Sequence, residues 1–133
     1  MGALIADMAR ELQGLSTDHA ASSATRKAAL ECVGLLQAAT GALLKMAASS
    51  PERALAVAVP YLKLCGFVIG GWLMAKSSAI AAANLSGAER EFYEAKIRSA
   101  RFYAEQVLPN AIALARVVEG GATSVVETDA ALV

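Results

Sequence analysis

The stretch CGFVIGGWLMAK, Cys65 to Lys76, runs eleven uncharged residues before its lysine and carries three glycines and the chain's one tryptophan. It has three readings: a membrane anchor, the lining of a site, or the close-packed middle of a buried helix. From Ala54 to Ala75 there are 22 residues, about the length a bilayer core requires, and Gly66-x-x-x-Gly70 has the spacing of a membrane-helix pairing motif. Against a span, Lys63 lies near the middle, where a buried charge costs about 3 kcal/mol. Pro60, Gly70 and Gly71 weaken an isolated helix further, and neither flank carries a lopsided basic cluster. The stretch is therefore expected to be the buried central helix of an all-α protein.

Helix signals spread outward from it. SSPER places Ser50 as a cap, Pro51 at the first helical position and Glu52 in the first turn, so a long helix is expected from there to about Ala83. NLSGAER supplies a turn, and Ser86 with Glu89 three residues on forms a capping-box pattern for the next helix. That helix carries the stripe Tyr93, Ile97, Ala100, Ala104, Val107, Leu108, Ala111, Leu114, Ala115 and Val118. Upstream, Leu4, Ile5, Met8 and Leu12 mark a helix over Gly2 to Gln13, closed by Gly14. A second helix is expected from about Ser23 or Thr25 to Ala48, with the stripe Leu30, Val33, Leu36, Leu43, Leu44 and Ala47. No strand alternation and no fixed-period repeat interrupts these patterns. The expected architecture is a single-domain, up-and-down bundle of about four helices. Two long central antiparallel helices kink at Pro60 and Pro109, and residues 120–133 form a loosely held tail after Gly120 and Gly121.

A short turn near Leu85 makes a register testable, because residues equally far from it face one another. Pro60 falls opposite Asn110, Gly66 opposite Ala104, Gly70 opposite Ala100 and Gly71 opposite Ser99. Small residues then meet small residues, which explains glycines that each cost about 1 kcal/mol inside a helix. Trp72 is placed near Arg98 and Lys76 near Glu94, as a cation-π contact and an ion pair.

Composition narrows the function. Apolar residues are 56% and aromatics 5% of 133 residues, so the core is built mainly from Ala, Leu and Val. Twelve basic and twelve acidic side chains cancel, leaving no field for nucleic acid or an anionic membrane surface. Cys32 and Cys65 sit 33 positions apart without a CxxC partner and read as buried reduced thiols of a cytoplasmic protein. MGALIADMAREL lacks a basic leader, and Ala6 breaks the myristoylation pattern. His19, the one histidine, has no clustered ligands and is expected to be a solvated loop residue. No GxSxG elbow, GxGxxG turn or Walker loop is present. EREFYEAKIRSARFYAEQ alternates acids and bases around Phe92, Tyr93, Phe102 and Tyr103, expected to place one ring of each pair inward. Its outer side reads as a solvated charged face or the rim of a protein interface.

One resemblance adds to this. Tyr61-Leu62, Gly66, Gly70-Gly71-Trp72, Lys96, Ala100-Arg101-Phe102-Tyr103, Leu108-Pro109 and Gly120 stand in an order similar to the C-terminal helical extension of acyl-CoA dehydrogenases. The likeness, to the 3-methylmercaptopropionyl-CoA dehydrogenase subfamily, runs from Tyr61 to Val125, about half of the chain. It implies a flavoprotein parent, an oxidoreductase that uses FAD for α,β-dehydrogenation of an acyl-CoA thioester. The proton-abstracting carboxylate of that family lies outside the resembling part, so no catalytic, flavin-binding or metal residue is implied here. The helix-packing or interface candidates are Gly66, Gly70, Gly71, Trp72, Arg98, Ala100, Arg101 and Ala104. The expected partners are a second copy, forming a homodimer, or the catalytic core of an acyl-CoA dehydrogenase. The alternative is a free-standing helical module that binds a protein or an acyl ligand.

Overall fold

Alanine and leucine at helical spacing, with prolines only at helix starts or breaks, leave the chain one way to pair its backbone groups. The computed structural model describes residues 1–128 and is helical nearly throughout. The helices are α1 (Gly2–Gly14), α2 (Ala20–Ser49), α3 (Pro51–Ala56), α4 (Ala58–Ala82), α5 (Arg90–Phe102), α6 (Pro109–Gly120) and α7 (Ala122–Val126), with a π-helical turn at Tyr103–Val107 between α5 and α6. This is the all-α bundle the periodicity requires.

The hub is α4, which packs along α2 on one side and along α5 and α6 on another, touches α1 over a smaller area, and leaves an outer face open. The start of α2, at His19 and Ser22, lies beside Ala79 and Ala82 at the end of α4, so these two helices run antiparallel. The core between them is aliphatic: Met8, Leu12, Leu36, Leu64, Val68, Leu108 and Val118 are fully enclosed. At about 25 cal/mol per Å2 of apolar surface, burying each such side chain contributes about 1.5–3 kcal/mol.

Both interior prolines disturb their helices, each in its own way. Pro60 has no N–H, and its ring presses on the carbonyl of the preceding turn, so the single long helix expected from Pro51 to Ala83 is broken in two at Val57. Val57 leaves helical geometry (φ −108°, ψ 7°) and its N–H reaches only three residues back, to Ala54. Ahead of Pro109 the chain widens instead: the Leu108 N–H bonds the Tyr103 carbonyl at 3.0 Å, five residues back. This π turn takes up one extra residue and lets α6 start at the proline.

Other local expectations are corrected. α2 starts earlier than expected, at Ala20, because His19 caps it: His19 Nδ1 accepts from the Ser22 N–H at 3.4 Å. That histidine is therefore a half-buried cap and not a solvated loop residue. Ser86 and Glu89 form no capping box, since α5 begins at Arg90 and Glu89 itself occupies the cap position. Ser50 precedes α3 without a side-chain cap bond, although Pro51 and Glu52 sit where expected. Leu44 is 65% exposed and Ala47 is exposed, because the end of α2 faces α3 across an open cleft and not the core. After Gly120 the chain is helical again: Ala122 of α7 is buried and Thr123 accepts a 2.6 Å hydrogen bond from Arg53 of α3. Residues 129–133 of the expected loose tail lie outside the described residues.

An interaction not foreseen ties α1 to α2. Arg26 donates to the last carbonyls of α1, Leu12 at 2.6 Å and Gln13 at 3.2 Å, satisfying groups a helix end leaves open.

Two substitutions separate glycines that the packing uses from those it does not. A Cβ on Gly34, in the exposed face of α2, would meet nothing within 4 Å, so Gly34→Ala is expected to raise unfolding free energy by about 1 kcal/mol in urea titrations. On Gly70 the same Cβ would collide with the Tyr103 hydroxyl, and Gly70→Ala is expected to lose about 1–3 kcal/mol. Ser78 is fully buried and its hydroxyl has no hydrogen-bond partner among the described residues, so Ser78→Ala is expected to be neutral or stabilising by about 1 kcal/mol in the same assay.

Candidate functional site

Two of the residues singled out by sequence, Gly70 and Gly71, lie on one seam, where α4 meets α5 and the π turn. Gly71 is buried, and a Cβ there would stand 2.7 Å from Leu108 Cδ2. One residue earlier, Gly70 makes room for Tyr103, whose hydroxyl donates to the Phe67 carbonyl inside α4 at 3.1 Å. Burial raises the Tyr103 phenol above its ordinary pKa, so it remains a donor at neutral pH. The small-residue surface faced by the glycines is thus not Ala100 and Ser99 but a tyrosine and a leucine further along the chain. Tyr103 continues the inward face of α5 set by Ile97 and Ala100, and the π turn that follows widens the helix before Leu108 reaches Gly71.

The other candidates divide. Ala100 is fully buried and Ala104 half-buried against the core. Gly66 is exposed, with open space where a Cβ would stand, and does not face Ala104. Arg101 is exposed and pairs with Glu105 at 2.6 Å, four residues on. Arg98 is exposed at the rim of a shallow groove with Met74 and Phe102, and the expected stacking on Trp72 is absent. Trp72 turns the other way: its Nε1 donates to Glu11 Oε2 of α1 at 3.1 Å, and Lys76 donates to the same oxygen at 2.7 Å while lying 4.7 Å from the Trp72 ring centre. Lys76 is therefore paired with α1 and not with Glu94, which binds Arg90.

Sequence reasoning missed Glu11, Leu108 and the inward hydroxyl of Tyr103. Glycine next to glycine before a tryptophan was a signal that something bulky approaches there. Which bulky group it is depends on how the helices pack against one another, and no local spacing announces that.

The chemistry available is limited. Among the described residues no three His, Cys, Asp or Glu side chains come together as a metal site would require. Cys32 is buried, and desolvation pushes its thiol up to about 11, which makes it a poor nucleophile. Thr40 and Tyr61 hydroxyls share a 2.9 Å hydrogen bond next to Cys65, half-buried at the edge of the core. A small hollow of about 160 Å3 is ringed by Ser16, Asp18, His19 and Ser22 between the start of α2 and the end of α4. An open groove of about 590 Å3 lies beside Met74, Arg98 and Phe102, and one of about 410 Å3 between the end of α2 and α3 is lined by Leu43, Leu44, Leu55 and Tyr61. None of these linings carries a glycine-rich phosphate-binding turn.

What remains is an outer surface rich in exposed apolar side chains. Phe92 is 55% and Phe102 62% exposed, while their neighbours Tyr93 and Tyr103 turn inward. The more polar ring of each pair is thus the more protected, the reverse of what solvent alone favours.

Comparison with known proteins agrees with this picture. Residues 3–129 match the family described as Acetyl-CoA dehydrogenase C-terminal like. The chain is 36% identical over 105 residues to 3-methylmercaptopropionyl-CoA dehydrogenase of Ruegeria pomeroyi, covering 77% of this chain and 18% of that protein. It is 34% identical over 113 residues to the broad-specificity linear acyl-CoA dehydrogenase FadE5 of Mycobacterium tuberculosis, covering 79% of this chain and again 18% of the relative. The chain therefore spans less than a fifth of the length of these relatives.

The Glu11 cluster gives the contact between α1 and α4 a spectroscopic handle. The hydrogen bond from Lys76, reinforced by its charge and by Trp72, holds the Glu11 carboxyl below its ordinary value of 4.5. A depressed carboxylate stabilises the fold above the ordinary value and loses that contribution as pH falls through the lowered one. Trp72 fluorescence is expected to be flat from pH 7 to about 5 and to shift below 4.5, and Glu11→Gln is expected to abolish the shift.

Proposed function

The chain belongs to the Acetyl-CoA dehydrogenase C-terminal-like family, and from that premise we propose that it is a noncatalytic structural and oligomerisation domain of a flavin-dependent acyl-CoA dehydrogenase. The parent reaction, α,β-dehydrogenation of an acyl-CoA thioester with FAD as oxidant, is carried out by the parts of such enzymes that this chain does not resemble. The single observation carrying the reading is the outward Phe92 and Phe102 beside grooves that hold no acid, base or nucleophile in catalytic arrangement. An interface requires such exposed aromatics, and a catalytic cleft requires the groups that are missing.

The same reading covers the surroundings. α2 and α4 are long and apolar enough to cross a membrane by length and composition. Lys63, exposed in the second turn of α4, and the faces α2 and α4 bury against each other support a bundle without a span. The balanced charge supports protein rather than nucleic-acid partners, and the free thiols Cys32 and Cys65 support a cytoplasmic setting. The apolar cleft at Leu43, Leu44 and Leu55 favours a second reading, a free-standing module that takes an acyl chain between helices.

Purified chain mixed with FAD and saturated acyl-CoA thioesters of several lengths distinguishes these readings. The expected result is no retained yellow colour after gel filtration, no bleaching near 450 nm and no heat of acyl-CoA binding. Retained flavin or thioester oxidation would overturn the noncatalytic reading, and stoichiometric thioester binding without chemistry would establish the second one.

A further inference from the structure

The outer face of α4 is patterned as a helix-pairing surface. Val59, Leu62, Leu73 and Ile80 are each more than half exposed, and with Gly66 and Ser77 they recur at spacings of three, four and seven, a narrow stripe on a 3.6-residue helix. Gly66 stands within it. Nothing in the chain explains this glycine: a Cβ there would enter open space, and a helix interior penalises glycine relative to alanine. A backbone approaching from outside the chain would explain it.

The order of sizes along the stripe says what approaches. About a point between Ile69 and Gly70, the stripe is complementary to itself in the reverse direction. Leu73 falls opposite Gly66, Leu62 opposite Ser77, and Val59 opposite Ile80. Two large residues meet two small ones, and the ends close with an aliphatic pair, as two antiparallel copies of one helix require. No charged residue lies on the stripe, and Lys63 and Lys76 fall on its opposite flanks, so reversal brings no like charges together.

The area suffices. The four exposed aliphatics, with Phe92 beside Ile80 and Phe102 beside Met74 on the flanking grooves, present six side chains of about 100 Å2 each. Two copies would bury about 1,200 Å2, within the range of specific interfaces.

We propose that α4 pairs antiparallel with α4 of a second copy across a two-fold axis near Ile69 and Gly70, forming a homodimer in which Gly66 admits the partner's Leu73. This rests on the association role given above and names its partner and register. Sedimentation velocity of the full chain from 1 to 200 μM, with helicity followed by circular dichroism, tests it. The expected result is a dimer whose dissociation constant rises roughly tenfold or more in Leu62→Glu and in Gly66→Leu, while Leu44→Glu, exposed on α2, leaves it unchanged. Both stripe positions are exposed, so full helicity is expected in each variant. In a mixture of Leu73→Cys chains with Gly66→Cys chains, the cross-linked product is expected to be the heterodimer. A chain that stays monomeric at 200 μM, or a dimer indifferent to Leu62→Glu, would overturn the proposal, as would Leu62-dependent binding of a monomeric chain to a flavoprotein body. None of these would touch the noncatalytic reading, which fails only if the chain retains flavin or oxidises thioester.

Discussion

The seating of Tyr103 on the backbone of α4 is the constraint around which the bundle is arranged. Its ring occupies the space that a side chain at position 70 would fill, and its hydroxyl ends on the Phe67 carbonyl. For that contact to form, α5 must present Tyr103 inward and Phe102 outward, and the chain beyond must bring Leu108 over Gly71. Tyr103 follows the spacing of Ile97 and Ala100 along α5, and the π turn ahead of Pro109 puts one extra residue in the helical ladder before Leu108.

From that seam the remaining layers follow. With α5 and α6 on one side of α4, helices α1 and α2 take the other, and Glu11 receives both Trp72 and Lys76 from the far edge of α4. The pair is exposed on both sides and orients α1 more than it stabilises it. Arg26 on the α1 carbonyls has a similar role, fixing the end of a helix that only thirteen residues support. The result buries an aliphatic core while leaving an apolar outer face on α4 and two exposed phenylalanines, Phe92 and Phe102, on an otherwise charged α5. That distribution agrees with a family whose members carry a segment like this as less than a fifth of a longer acyl-CoA dehydrogenase.

Much of the fold was legible because its signals are local. The stripe from Ile97 through Ala100, Leu108, Ala111 and Ala115 to Val118 is buried along its length, and α1 buries Ile5, Met8 and Leu12 as their spacing requires. What local reading misjudged were places where two signals compete. Pro60 lies inside a strongly apolar run, and the broken hydrogen bond prevailed over the hydrophobic continuity at Val57. Ser86 and Glu89 have capping-box spacing, yet the turn after Asn84 delays α5 until Arg90. Leu44 has the right phase for the core, but α3 diverges there and leaves it at a cleft.

The sequence by itself determined that this chain is all helix, where most helices lie, which residues form the core, and that glycines at 70 and 71 receive something close. These follow from hydrogen-bond geometry and the 3.6-residue period, which act over a few neighbours. Only the tertiary structure decided that Tyr103 and Leu108 are what they receive, that Trp72 belongs to α1, and that Gly66 faces outward. Those outcomes depend on how the helices pack against one another, and for Leu108 also on the widened π turn that precedes it. The register between helices is set by how whole side chains fill the space between backbones, a sum over contacts distant in sequence that no single stretch encodes.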